Sequence, residues 1–184
     1  MKLSTYRNLT GATRIDIKYN TIADKVVDSI HCVLGISSEY LNEFMNSKTL
    51  ANDGEELGDI LWYISEYCNI WGIELQEYPP SKNMERDRLD VNLIPETIGK
   101  LCDIDKALLA YHRHALMEVR TQLIQYLYDT ICMIIEGIGL EISNVMSTNI
   151  KKLKLRYPDN FTEHAANNRD LQKELKLLEA NFGK

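Results

Sequence analysis

Several features that would place this chain in a familiar class are missing from its sequence. It has only four cysteines, Cys32, Cys68, Cys102 and Cys132, each thirty or more residues from the next, and no CxxC pair. That spacing argues against a zinc site. The thiols read instead as reduced core residues of a cytoplasmic protein, host cytoplasm if the gene is a phage's. Long apolar runs are also missing. The most apolar stretch, Thr130 to Ile142, is broken by Glu136 and Glu141 and is too short to span a membrane. The opening Met1-Lys2-Leu3-Ser4-Thr5-Tyr6-Arg7-Asn8 is polar, so no secretory signal is expected. Nor is there a basic excess: 21 Lys and Arg stand against 27 Asp and Glu, a formal net charge of −6. A nucleic-acid polymer is therefore not an expected partner, since such binding draws on counterion release by a basic surface.

What is present is helical periodicity. The 184 residues are 45% hydrophobic and 26% charged, ordinary for a single globular domain. From Thr21 to Asn46, the residues Ala23, Val26, Val27, Ile30, Val33, Leu34, Leu41, Phe44 and Met45 recur at helical steps and read as one apolar stripe. Asn52 is the expected N-cap of a second helix running to Trp71, with Glu55 as its capping-box partner. The short loop makes the two an antiparallel hairpin. Pro79-Pro80 ends any helix, and Lys82 to Arg88 reads as a charged loop. Further helices are expected over 96–112, 115–136, 141–156 and 169–180. Strand-like alternation is confined to Arg14 to Tyr19, which is too short to read as a sheet. The fold class is therefore all-α, a helical bundle built on an acidic hairpin. A weak internal echo, Trp71-Gly72-Ile73-Glu74-Leu75 against Ile138-Gly139-Leu140-Glu141-Ile142, suggests a degenerate second hairpin at about 96–138.

The chemistry is concentrated in two acidic segments, Glu39-Tyr40-Leu41-Asn42-Glu43 and Glu55-Glu56-Leu57-Gly58-Asp59. Residues three or four apart share a helix face. In an antiparallel hairpin turning near Thr49, Glu39 faces Asp59, Asn42 faces Glu56, and Glu43 faces Glu55. Carboxylates that converge in this way raise one another's pKa unless water or a cation lies between them. A hard divalent ion, Mg²⁺ with Mn²⁺ as a substitute, suits such oxygens. The plainer reading gives Glu55 and Glu56 a helix-dipole role, but Asp59 lies beyond the first turn, where that role ends. Near the C-terminus, Lys152 and Arg156 share a face at the end of a helix. They either complement its dipole or donate to phosphate oxygens.

Taken in order, these segments resemble the MazG-like branch of the all-α nucleoside triphosphate pyrophosphatase superfamily, in its compact phage and bacterial form. The resemblance rests on Glu55-Glu56-Leu57-Gly58-Asp59-Ile60-Leu61-Trp62-Tyr63 and on Asn149 to Pro158 with its Lys152, Arg156 and Tyr157. Phe161, Asn168-Arg169-Asp170 and the opening Tyr6-Arg7-Asn8-Leu9 add to it. It covers roughly residues 6–75 and 139–180. Residues 76–138 are an insertion or the degenerate hairpin, and 158–184 are a tail and helix of the same single domain. The resemblance implies Mg²⁺-dependent hydrolysis of a nucleoside triphosphate, with deoxynucleotides the expected substrates, to monophosphate and pyrophosphate, in a homodimer or homotetramer away from membranes. It implies a metal held by Glu39, Glu56 and Asp59 with Asn42 or Glu43, water oriented by Glu43 or Glu55, and phosphates held by Lys152 and Arg156 with Asn149. Trp62, Tyr63 or Tyr157 is the expected stacking partner of the base. The family's first metal motif is Glu-x-x-Glu, whereas this chain has Asn at position 42. Two alternatives are a dUTP or dCTP hydrolase of the same superfamily and a non-catalytic bundle that binds a nucleotide or protein.

Overall fold

The computed structural model of the protein describes residues 1–14, 19–78, 89–158 and 161–183. Its regular structure is helical, and no strand occurs among the described residues. The elements are α1 (Leu3–Gly11), α2 (Ile22–Ser38), α3 (Leu50–Trp71), α4 (Ile94–Tyr111), α5 (Met117–Gly137), α6 (Ile142–Arg156), α7 (Glu163–Asn167) and α8 (Leu171–Phe182). Among the described residues no single helix is long and apolar enough to cross a membrane. Most of the Arg14–Tyr19 segment, and all of Pro79-Pro80 and Lys82–Arg88, fall outside the described residues.

α3 is the central element, packing against α1, α2, α5, α6 and α8. It is covered on so many sides that Ser65 and Glu66 are buried beside Leu57, Ile60, Leu61 and Ile64. It begins earlier than expected. Thr49, in an extended conformation, is the N-cap, and its hydroxyl accepts from the Asn52 backbone N–H at 3.2 Å. Asn52 therefore lies inside the first turn, and the expected Asn52–Glu55 capping box does not form, leaving the Glu55 side chain to bond elsewhere. A capping box does close one helix earlier, between Thr21 and Asp24 at the start of α2.

The expected single stripe on α2 also needs correction. Val26 and Val33 are buried, but Ala23, Val27, Leu34, Leu41 and Met45 are exposed, while Ser29, Cys32, Ile36 and Tyr40 are buried in their place. Helical spacing groups apolar residues without saying which group is covered. Here the covered face is the one turned toward α3 and α4. Two short helices, α1 and α7, were not expected. α1 buries only Leu3, Tyr6 and Thr10, a pattern too sparse and too polar to register as amphipathic.

α2 and α3 run in opposite directions. Glu39 pairs with Glu56, while earlier on α2 His31 and Gly35 meet Tyr63, later on α3. Gly35 is required there, since a Cβ at that position would lie 2.4 Å from the Tyr63 ring. α4 packs on α2, α5 packs on α3, and α4 and α5 pack on each other. A buried polar chain ties all four helices together. Ser29 donates to Asp105, Arg120 bonds both Asp105 and the Tyr67 hydroxyl, and the Arg120 guanidinium lies 4.0 Å from the Trp71 ring centroid.

Candidate functional site

After Ser38 the α2 backbone loosens into a turn of π-helix, Glu39–Glu43, and then tightens into a 3₁₀ turn, Phe44–Asn46. The Phe44 N–H reaches back to the Glu39 carbonyl. This i→i+5 closure places one extra residue in the turn, so the residue brought round beneath Glu39 is Glu43 rather than Asn42. Both residues are exposed, but Glu43 lines the cavity described below and Asn42 does not, its carbonyl accepting from Asn46 at 2.8 Å. The Asn at position 42 that broke the expected spacing thus lies outside the cavity.

The cavity, of about 660 Å³, opens between α2, α3, the end of α6 and the C-terminal segment. Glu39, Glu43, Glu55, Glu56 and Asp59 line one wall. Arg156, Tyr157, Phe161 and Arg169 line it as well, Arg169 with its Nη2 3.9 Å from Glu55 Oε1, and Thr13, Arg14, Asp28, His31, Cys32, Ser38, Trp62, Tyr63 and Leu153 complete the lining. The Glu39 and Glu56 carboxyls are hydrogen-bonded to each other. Burial, that bond and the nearby Asp59 push Glu56 up to about 8. Burial and Asp59 raise Glu39 as well. Two carboxyl groups that hold a proton between them are a sign of excess negative charge without a cation. Burial raises Tyr63 to about 12, helped by Glu39 and Asp59.

Lys152 is 1% exposed and reaches Asp59 Oδ2 at 2.6 Å and Glu55 Oε1 at 3.1 Å. Burial alone would lower its pKa, but the two carboxylates outweigh that and hold it raised and charged. Asn149 Nδ2 donates to the other Asp59 oxygen at 2.7 Å. The Asn149 carbonyl in turn accepts from the buried Tyr6 hydroxyl at 2.9 Å. Asp59 is thereby fixed on both oxygens by α6, and α1 supports that arrangement from behind. Lys152 and Asn149 orient the acidic wall, while Arg156 faces the cavity directly. The Trp62 indole N–H is bonded to the Thr13 hydroxyl at 3.0 Å, which fixes its ring edge-on to Tyr63.

The structure thus brings together Glu39, Glu43, Glu55, Glu56, Asp59, Trp62, Lys152 and Arg156, with Asn149 behind Asp59, and leaves Asn42 outside. Sequence reasoning did not single out Thr13, Arg14 or Arg169 as site residues. Arg169 lies in the quoted Asn-Arg-Asp segment, and that was the available signal. Thr13 and Arg14 arrive through the packing of α1 against α3 and α6, which has no local signature. Comparison with known proteins finds no matching family model, no matching curated protein and no matching solved structure.

Proposed function

We propose that the protein is a Mg²⁺-dependent nucleoside triphosphate pyrophosphohydrolase. One observation carries this reading: Glu39 and Glu56 are held together beside Asp59, in a cavity that Arg156 and Arg169 also line. The donor set is all carboxylate oxygen, which suits a hard cation, and a divalent ion would replace the proton that Glu39 and Glu56 share. Glu39, Glu56 and Asp59 would hold it, with Glu43 within the same turn. When bound, the ion supplies charge neutralisation for the phosphates and acidity for a coordinated water.

The remaining roles belong to the chain. The reaction joins a water oxygen to the α-phosphorus and breaks the bond from that phosphorus to the bridging oxygen, which leaves with pyrophosphate; the water gives up a proton. Glu43 is the better placed of the two expected bases. It lines the cavity and makes no ion pair among the described residues, whereas Glu55 is bonded to Lys152. Arg156, with donors to spare, faces the leaving phosphates. Trp62, Tyr63 and Tyr157 offer faces to a base. The direct test is to incubate the protein with Mg²⁺ and a panel of ribo- and deoxynucleoside triphosphates and to measure pyrophosphate against orthophosphate. Pyrophosphate release that is lost in Glu56→Ala supports the reading; its absence with every nucleotide refutes it. Separate rates for dUTP, dCTP and the purine nucleotides decide between a broad enzyme and a pyrimidine-specific one.

A second reading, a nucleotide-binding bundle without turnover, is favoured by one observation. Both Asp59 oxygens are taken by Lys152 and Asn149. As placed, no three carboxylate, imidazole or thiol groups among the described residues close into a metal cage. Tight nucleotide binding without product formation is its expected result.

A further inference from the structure

The C-terminal segment completes the cation wall through a residue that does not itself line the cavity. Arg156 ends α6 and Arg169 precedes α8, and both line the cavity. Their guanidinium groups meet on one carboxylate. Arg156 Nε donates to Glu174 Oε1 at 3.0 Å and its Nη2 to Oε2 at 2.8 Å, while Arg169 Nη2 donates to the same Oε2 at 2.7 Å. Glu174 is 4% exposed. Burial would raise its pKa, but the two arginines outweigh that and keep it below the usual carboxylate range.

Glu174 is itself held firmly. α8 packs on both α3 and α6. Phe182, near the end of α8, occupies the space beside Gly54, where a Cβ would lie 2.6 Å from its ring. Gly54 immediately precedes Glu55 and Glu56. The helix that carries Glu174 therefore touches the start of the acidic helix and the end of the basic one.

Two guanidinium groups this close repel each other, and each long side chain has many rotamers to lose. One buried carboxylate between them offsets one of the two charges and fixes both planes. Arg156 is also bonded to Tyr157, and Arg169 Nη2 lies 3.9 Å from Glu55 Oε1; a guanidinium carries more N–H donors than these bonds use, so each keeps donors for an anion. We propose that Glu174 is a positioning residue: it presents Arg156 and Arg169 as a paired anion-binding face, so that the C-terminal helix sets how the cavity holds the terminal phosphates of its substrate. The proposal rests on the triphosphate reading for the identity of the anion.

The test uses the full chain and inorganic pyrophosphate with Mg²⁺ in titration calorimetry, alongside kcat and KM for the best triphosphate. Glu174→Gln is expected to weaken pyrophosphate binding about tenfold and to raise KM to a similar extent, with kcat changed less than about threefold. Glu174→Asp, which keeps the charge, should recover part of the loss. Leu178→Ala, on the same helix and buried, controls for packing: it should lower the melting temperature and leave pyrophosphate affinity unchanged. The proposal is overturned if Glu174→Gln binds as wild type or tighter, if Leu178→Ala loses affinity to the same degree, or if wild type does not bind pyrophosphate. Wild type that binds pyrophosphate with this dependence but hydrolyses no triphosphate leaves the positioning role standing and removes the proposed activity.

Discussion

Asp59 of α3 is bonded to Lys152 of α6, Asp105 of α4 is bonded to Arg120 of α5, and the two pairs differ in what surrounds them. Asp105 and Arg120 sit at 0% and 2% side-chain exposure. Tyr67, Trp71 and Ser29 close around them, and no further carboxylate among the described residues joins the pair. Charge there is balanced and sealed. Asp59 and Lys152 form a similar bond, but Glu39 and Glu56 stand beside it with no ion-pair cation of their own among the described residues, and the site opens to a cavity. A balanced buried pair ties elements together. An unbalanced one beside open space has unmet affinity for positive charge, and that is what distinguishes a site from a brace.

The largest effect expected from breaking this contrast is on turnover. Glu56→Gln, which keeps the shape but cannot give up its proton to a cation, should lower pyrophosphate release by about three orders of magnitude, on the scale of losing a metal-binding or oxyanion-stabilising group. Retention of more than a tenth of the rate would separate the Glu39–Glu56 pair from the activity. Arg120→Ala tests the brace. It strands the buried Asp105 carboxylate and should cost about 3–5 kcal/mol in urea denaturation. The paired change Asp105→Leu with Arg120→Met should cost far less, because neither charge is then left alone. A small loss in Arg120→Ala would mean that the node does not hold the four helices.

A smaller effect separates Glu43 from its neighbour. If the π-turn gives Glu43 its cavity position, Glu43→Gln should reduce kcat/KM about tenfold or more, while Asn42→Ala changes it less than about twofold. The reverse order would put Asn42 in the site. The smallest effect is on stability and follows pH. Because the Glu56 carboxyl is raised to about 8 in the folded chain, the folded state holds its proton more tightly than the unfolded state. Stability therefore falls as pH climbs from the ordinary carboxylate range toward 8. Glu56→Gln should raise the melting temperature by a few degrees above pH 8 and by nothing near pH 4. Mg²⁺ should raise the wild-type melting temperature at pH 8 and leave that of the variant unmoved.

Much of this contrast was legible beforehand in part. Glu55, Glu56 and Asp59 stood out because a helix places them on one face, and Asp59 because no dipole or cap accounts for it. Lys152 and Arg156 stood out as a pair four residues apart. The partner of each did not. Lys152 looks like a surface cation until α3 covers it, and Glu174 is one charge among many in a polar helix until it meets Arg156. The Asn52 capping box does not form because Thr49 caps the Asn52 backbone N–H and starts the helix before Asn52.

By itself the sequence determined the six longer helices, α2 to α6 and α8, since periodicity and punctuation are properties of neighbours along the chain. It also determined that acidic and basic groups cluster at fixed points. Only the tertiary structure decided which apolar face of α2 is covered, that a π-turn brings Glu43 to the cavity and leaves Asn42 outside it, and which carboxylates are matched by a cation. Burial and charge balance depend on groups brought together from as far apart as Tyr6, Asp59 and Asn149, and spacing along the chain carries no record of those meetings.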